Sequence, residues 1–171
     1  DDTGQYVNGL AFRSQDWKPK GTPIVRIQNL TNTALPFNYA DGPFPEDRVV
    51  RSGEILVSWS GTLDAFLWDR GEAVVNQHIF RVIPEHSVVT TQFLYYLLLH
   101  SIRKLAASEA AHGLAMKHIN RGPFLSLPVR LPPLDEQVRI VQTLQVLLSQ
   151  CAELSAKFSL RESIATSFRQ S

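Results

Sequence analysis

The chain has 171 residues, of which 44% are hydrophobic and 19% are charged. This balance excludes a largely disordered protein, and the length suffices for one well-buried core with an appended element but not for two full domains. The formal net charge is only +1, so the overall charge does not by itself indicate a nucleic-acid partner.

Two further features bear on the compartment. The only cysteine, Cys151, cannot form an internal disulfide, which favours a reducing environment. The longest apolar run, F-L-Y-Y-L-L-L from Phe93, is far too short to span a bilayer. We therefore expect a cytoplasmic protein without a membrane partner.

The first 90 residues have the pattern of a β-rich domain. Segments rich in β-branched and aromatic residues are separated by glycines such as Gly53 and Gly61, which supply turn conformations. The predicted strands lie within residues 23–30, 54–60, 65–68 and 73–82. Because no helix separates these strands, we expect a bent sheet that is antiparallel or mixed, in an α+β domain.

Two helices are predicted to follow. Thr90 or Thr91 can cap the first, which is apolar nearly all round over two turns and ends before Gly113. The second begins near Pro133 and runs for about 35 residues, with large apolar side chains at alternating steps of three and four. We expect this stripe to pack against a partner helix through Val141, Leu144, Leu148, Leu154 and Phe158. The predicted domains are residues 1–131 and 132–171.

Charge is distributed unevenly along the chain. Residues 1–100 carry 8 Lys and Arg against 11 Asp and Glu, a balance of −3, whereas residues 101–171 carry 9 against 5, a balance of +4. The polar segment A-H-G-L-A-M-K-H-I-N-R-G-P-F, residues 111–124, lies in the basic part. Clustered cations of this kind are a weak indication of an anionic partner, with a solvated surface as the equally plain alternative.

No catalytic constellation is found in the sequence. S-W-S-G-T lacks the glycine two residues before Ser58 that a nucleophile turn requires. His112 and His118 are six residues apart with no cysteine near them, which argues against a metal site. R-L-P-P-L-D lacks both the Asn or Asp and the aromatic residue of a methyltransferase diproline loop. The chain is therefore not expected to be an enzyme or to bind a cofactor.

The order of several segments resembles the specificity subunit of type I restriction-modification enzymes, specifically one target recognition domain followed by one conserved helix. The matching segments cover nearly the whole chain. They are residues 6–17, G-T-P-I-V-R-I-Q-N-L (21–30), G-E-I-L-V-S-W-S-G-T-L (53–63), V-N-Q-H-I-F-R-V (75–82), H-G-L-A-M-K-H-I-N-R-G-P-F (112–124) and L-P-P-L-D-E-Q-V-R-I-V (131–141). A full member of this family carries two such domains and two helices, so this chain corresponds to a half-subunit, a rearranged piece or a fragment.

The resemblance implies a non-catalytic protein that binds double-stranded DNA and reads one half of a split site. It further implies two methyltransferase subunits that dock on the long helices and supply S-adenosylmethionine, with a restriction subunit in the full complex. The segment 112–122 is then expected on the DNA side. The expected DNA contacts are Gly113, Lys117, His118, Asn120 and Arg121 there, and Ser58, Ser60 and Thr62 near W-S-G-T.

Some polar residues are assigned less weight. Arg26, Gln28 and Asn29 are weaker candidates for DNA contact, since a polar strand face is often only solvated, and Asn76 and His78 are predicted to be structural.

With a single helix in the chain, a twofold dimer through antiparallel helices is the simplest way to cover the apolar stripe.

Two other function classes remain open at this stage. A fused methyltransferase-nuclease could contain such a recognition domain, and an S-adenosylmethionine-binding motif upstream in the parent reading frame would indicate that enzyme. A helical interaction module without a nucleic-acid role would show no salt-dependent DNA binding.

Overall fold

The computed structural model describes residues 2–111 and 121–170. The chain divides into two compact units, Asp1–Leu131 and Pro132–Ser171. The described elements of the first unit are the strands β1 (Gly4–Asn8), β2 (Thr22–Val25), β3 (Asn38–Ala40), β4 (Val49–Val50), β5 (Ile55–Ser58), β6 (Asp64–Leu67), β7 (Ala73–Val75) and β8 (Ile79–Pro84), and the helices α1 (Ile27–Thr31), α2 (Thr91–Ala111) and α3 (Arg121–Leu125). The second unit is formed by helix α4 (Leu134–Gln170).

The first sheet is antiparallel throughout and has the order β1-β8-β5-β6. All four residues of β5 are buried, so both faces of this strand are covered. Ile55 and Val57 point to a core that contains Leu94 and Leu98 of α2, whereas Leu56 belongs to a second core. This alternation follows from the period of two along a strand, and it explains why the segment is apolar without interruption.

The second sheet is mixed and has the order β3-β2-β7-β4, with β2 and β7 parallel. Val25 and Val75 of this sheet share a core with Leu56 and Ile79 of the first sheet. The predicted fold class, a β-rich α+β domain followed by a long helix, is confirmed.

Helix α2 begins where the sequence predicts. The Thr90 hydroxyl accepts a hydrogen bond from the backbone N–H of Phe93 at 3.3 Å, which is the contact of an N-cap residue. Leu94, Leu98 and Ile102 of the helix are buried in the core that it forms with the first sheet.

The predicted strand over residues 23–30 is wrong in its second half. β2 ends at Val25, and α1 begins two residues later. The Asn29 side chain stabilises this turn, because its Oδ1 accepts a hydrogen bond from the Arg26 backbone N–H and its Nδ2 donates to the Leu35 and Pro36 carbonyls. Asn29 is fully buried, so this weaker candidate for DNA contact is a structural residue.

The segment 73–82 forms two strands instead of one. β7 belongs to the second sheet and β8 to the first, and residues 76–78 form a turn between them. The Ile79 backbone N–H donates to the Asn76 carbonyl at 3.0 Å and closes this turn. β-branched residues on both sides of the turn hide the change of sheet from a pattern-based prediction.

Helix α4 has 37 residues and starts just after Pro133, whose carbonyl accepts the N–H groups of Glu136 and Gln137 at 3.0 Å each. Within α4, Gln137 and Val141 are buried, and every residue from 145 to 159 is exposed. No helix within residues 2–111 and 121–170 combines the length and the hydropathy that crossing a membrane requires.

Candidate nucleic-acid interface

Most of the predicted cationic loop lies outside the described residues. Gly113, Lys117, His118 and Asn120 fall in residues 112–120, and Arg121 is described only as the first residue of α3. Their contact with DNA stays a prediction.

Ser58 is not on the surface, which corrects its prediction as a DNA contact. The residue is fully buried at the end of β5. Its hydroxyl contacts the Thr62 carbonyl, and it accepts a hydrogen bond from the Asp64 backbone N–H at 3.1 Å. The hydroxyl therefore satisfies backbone groups of the connection to β6, and its role is to shape that connection.

Ser60 and Thr62 lie in this connection, residues 59–63, which we call the β5–β6 turn. Ser60 is half-buried and Thr62 is exposed. Gly61 between them has a φ of 71°, in the left-handed region that glycine adopts without strain. The turn therefore presents the Thr62 hydroxyl to solvent, where it could contact a polar partner.

The pairing of β5 with β8 brings a second polar segment beside the β5–β6 turn. Ser58 is opposite Ile79, and the Trp59 backbone N–H donates to the His78 carbonyl at 3.2 Å. The Trp59 ring lies 5.4 Å from the His78 ring between centroids. Residues 76–78 and the β5–β6 turn thus form one continuous region.

Three buried polar atoms in this region have no hydrogen-bond partner among the described residues: Trp59 Nε1, Gln77 Oε1 and His78 Nδ1. The Gln77 Nε2 lies 3.2 Å from His78 Nε2, so one side of each side chain is occupied and the other is not. Unpartnered buried groups are rare and mark sites where a water or a ligand completes the structure. Trp59 and Gln77 were not among the predicted site residues, since neither carries a signal without knowledge of the strand pairing.

The far end of the β5–β6 turn carries an ion pair. Asp64 faces Arg103, with the carboxylate 3.9 Å from the guanidinium nitrogen. The pKa of the nearby Tyr95 hydroxyl is raised, first by burial and further by Tyr96 and Asp64.

The residues of the predicted helix interface differ in how far they are buried. Val141 is buried and Leu144 half-buried, and their contact with a partner helix stays a prediction. The exposed fractions of Leu148, Leu154 and Phe158 are 52%, 54% and 63%. Leu147, beside them on the helix, is 51% exposed.

The family model described as "Type I restriction modification DNA specificity domain" matches residues 1–160. The chain belongs to this family.

Similar proteins agree with this assignment. The specificity subunit of the type I restriction enzyme EcoBI from Escherichia coli is 26% identical over 174 aligned residues, which cover 99% of this chain and 36% of that protein. The MjaVIII specificity subunit from Methanocaldococcus jannaschii is 25% identical, with 81% of this chain and 36% of that protein covered. The chain thus spans about a third of the length of these relatives.

Solved structures share the fold. The HsdS subunit from Thermoanaerobacter tengcongensis superimposes with a TM-score of 0.67 at 20% identity, covering 89% of this chain and 37% of that one. The type I S subunit from M. genitalium gives a TM-score of 0.57 at 17% identity, with coverage of 90% and 39%.

Proposed function

We propose that this specificity domain binds double-stranded DNA and reads the sequence of one half of a split target site. Its membership in a family of DNA specificity domains is the observation that carries the proposal. On this proposal the chain is not catalytic. The methylation chemistry would belong to methyltransferase subunits that supply S-adenosylmethionine, with a restriction subunit in the full cytoplasmic complex.

The base-reading surface that we propose combines the β5–β6 turn, residues 76–78 and the cationic segment 112–122. Gln77 offers an acceptor, and the Trp59 indole N–H offers a donor. Such a donor and acceptor complement the major-groove edge of adenine, which presents N7 as an acceptor and the N6 amino group as a donor. Because both atoms are buried in the free chain, a base would reach them only after a shift of the β5–β6 turn on binding.

We further propose that helix α4 pairs with α4 of a second copy. The exposed leucines and Phe158 would each gain about 1–2 kcal/mol on complete burial, since only about half of each side chain is exposed now, and together these gains make a solvated stripe unfavourable. A self-complementary antiparallel contact closes under twofold symmetry. Two identical domains would then read two half-sites related by a dyad, so the target would be an interrupted palindrome.

Selection from a pool of randomised DNA duplexes tests this proposal with the purified chain. We expect enrichment of a short motif repeated in inverted orientation across a constant spacer. Enrichment of a single uninterrupted motif would retain DNA recognition and reject the dimer. No enrichment, together with no salt-dependent binding to any duplex, would reject DNA recognition and favour a purely helical interaction module.

A further inference from the structure

A second cationic surface lies in residues 13–26, and its Arg26 follows Val25, whose carbonyl accepts the Asn76 backbone N–H at 3.0 Å. Trp17 is 38% exposed, and the Arg26 guanidinium lies 5.3 Å from the centre of its ring. Arg26 Nη1 also donates to Asn38 Oδ1 at 3.1 Å. The guanidinium is therefore held between an indole face and an amide, and little conformational freedom remains to be lost when it binds an anion.

Two lysines are brought to the same edge of the second sheet. The Lys18 backbone N–H donates to the Tyr39 carbonyl at 2.9 Å, one residue from Asn38. Gly21 approaches β3 so closely that an added β-carbon would lie 2.6 Å from the Ala40 carbonyl oxygen. The segment from Lys18 to Gly21, which includes Lys20, therefore runs beside β3.

The cations of this edge differ from four other arginines of the first unit. Arg48, Arg51, Arg81 and Arg103 each form an ion pair with a carboxylate. Within the part of the chain that the structure describes, no ion pair is found for the four cations of residues 13–26, which are Arg13, Lys18, Lys20 and Arg26.

The net charge of this edge is positive. Residues 13–26 contain four cations and one acid, Asp16, and the Asp41 carboxylate lies beside Gly21, so the balance of the edge is +2. The Asp16 carboxylate accepts the Arg13 backbone N–H at 2.7 Å, so the acid caps a local turn and pairs with none of the four side chains. An excess of positive charge beside an ordered aromatic residue indicates a surface that binds an external anion.

We propose that this surface, formed by Arg13, Trp17, Lys18, Lys20 and Arg26, binds the phosphate backbone of the DNA. The inference rests on the proposed function and adds to it a contact that sets the position of the domain on the duplex without reading sequence. The planar guanidinium of Arg26 suits two phosphate oxygens at once, and the lysines act as point charges beside it.

Charge-removing variants test the proposal on a duplex enriched in the selection above and on an unrelated duplex. For Lys18→Gln with Lys20→Gln, we expect affinity to fall about tenfold or more on both duplexes and the slope of log K against log salt to decrease in magnitude by about 1.8, or 0.9 for each phosphate that is no longer neutralised. Arg26→Lys keeps the charge but removes the stacked plane, so it should weaken binding without changing the slope.

Arg51→Gln is the matched control, since it removes one positive charge that is paired with Glu46 and Glu72. We expect the affinity and the slope of this control to stay at the wild-type values. Urea unfolding should show that all the variants are folded.

The outcomes separate the two proposals. If the wild-type chain binds no duplex, the proposed function fails. If the wild-type chain binds DNA and the lysine variant matches it in affinity and slope, only the phosphate-binding surface is rejected. This holds even if the same variant fails to bind a methyltransferase subunit. A loss confined to the enriched duplex would also overturn it, because it would indicate base reading.

Discussion

The buried Ser58 hydroxyl contacts the Thr62 carbonyl across the β5–β6 turn. Both residues were predicted from the sequence to contact DNA, and Ser58 instead stabilises the backbone at Thr62. Ser58→Ala leaves buried groups of the turn without their partner and should lower the free energy of unfolding by about 1–3 kcal/mol. Thr62→Ala, at an exposed position, should change it by less than about 0.5 kcal/mol. Urea denaturation of both variants measures the difference, and equal stabilities would contradict the structural role of Ser58.

Gln77 provides a test of the proposed base contact. Gln77→Met removes a carbonyl oxygen that has no partner within the described residues, together with the amide contact to His78. We expect little change in stability but about a tenfold loss of affinity for the selected sequence alone, because the Gln77 acceptor and the Trp59 donor together would form one bidentate base contact, which contributes about 1–3 kcal/mol of discrimination. Gln5→Met, at an exposed residue of β1, is the control. An equal loss on every duplex would show that Gln77 reads no base.

The cationic segment makes a different prediction. Lys117→Ala with Arg121→Ala should weaken binding to all sequences and reduce the salt slope by about 0.9 for each phosphate that these side chains neutralise in the wild-type complex. His118→Ala or Asn120→Ala should instead alter the preferred sequence. Titrations at several salt concentrations, with a selected and an unrelated duplex, distinguish the two effects. An unchanged slope and affinity in the double variant would mean that this segment is an ordinary surface loop without a role in DNA binding.

The apolar stripe of α4 predicts a dimer that point charges can dissociate. Leu148→Glu with Phe158→Glu should give monomers in sedimentation at tens of micromolar, because two buried carboxylates would oppose helix pairing. Val146→Glu is the control, since Val146 is 56% exposed but lies on the opposite side of the helix, about 160° around the axis from Leu148. A wild-type chain that sediments as a monomer would overturn the dimer.

Local patterns in the sequence predicted the elements that depend on near neighbours. The cap at Thr90 and the alternation of apolar residues over 54–60 require information from only a few positions, because helices and strands have fixed periods. The long stripe after Pro133 likewise predicts a helix of nearly the observed length. The family resemblance added the expected DNA side of the domain, and its partner proteins stay proposals.

Only the tertiary structure decided which polar residues are available for binding. A serine or an asparagine can occupy an exposed turn or a buried one, so the residue type does not distinguish the two. The hydrogen bonds of Ser58 and Asn29 form only when the chain closes around them. Trp59 meets His78 because β5 pairs with β8 across more than twenty residues of sequence. Val141 and Phe158 both fit the helical stripe, yet one is buried and the other 63% exposed. Periodicity assigns residues to a face of a helix or strand, but it does not determine how much of each side chain on that face is buried.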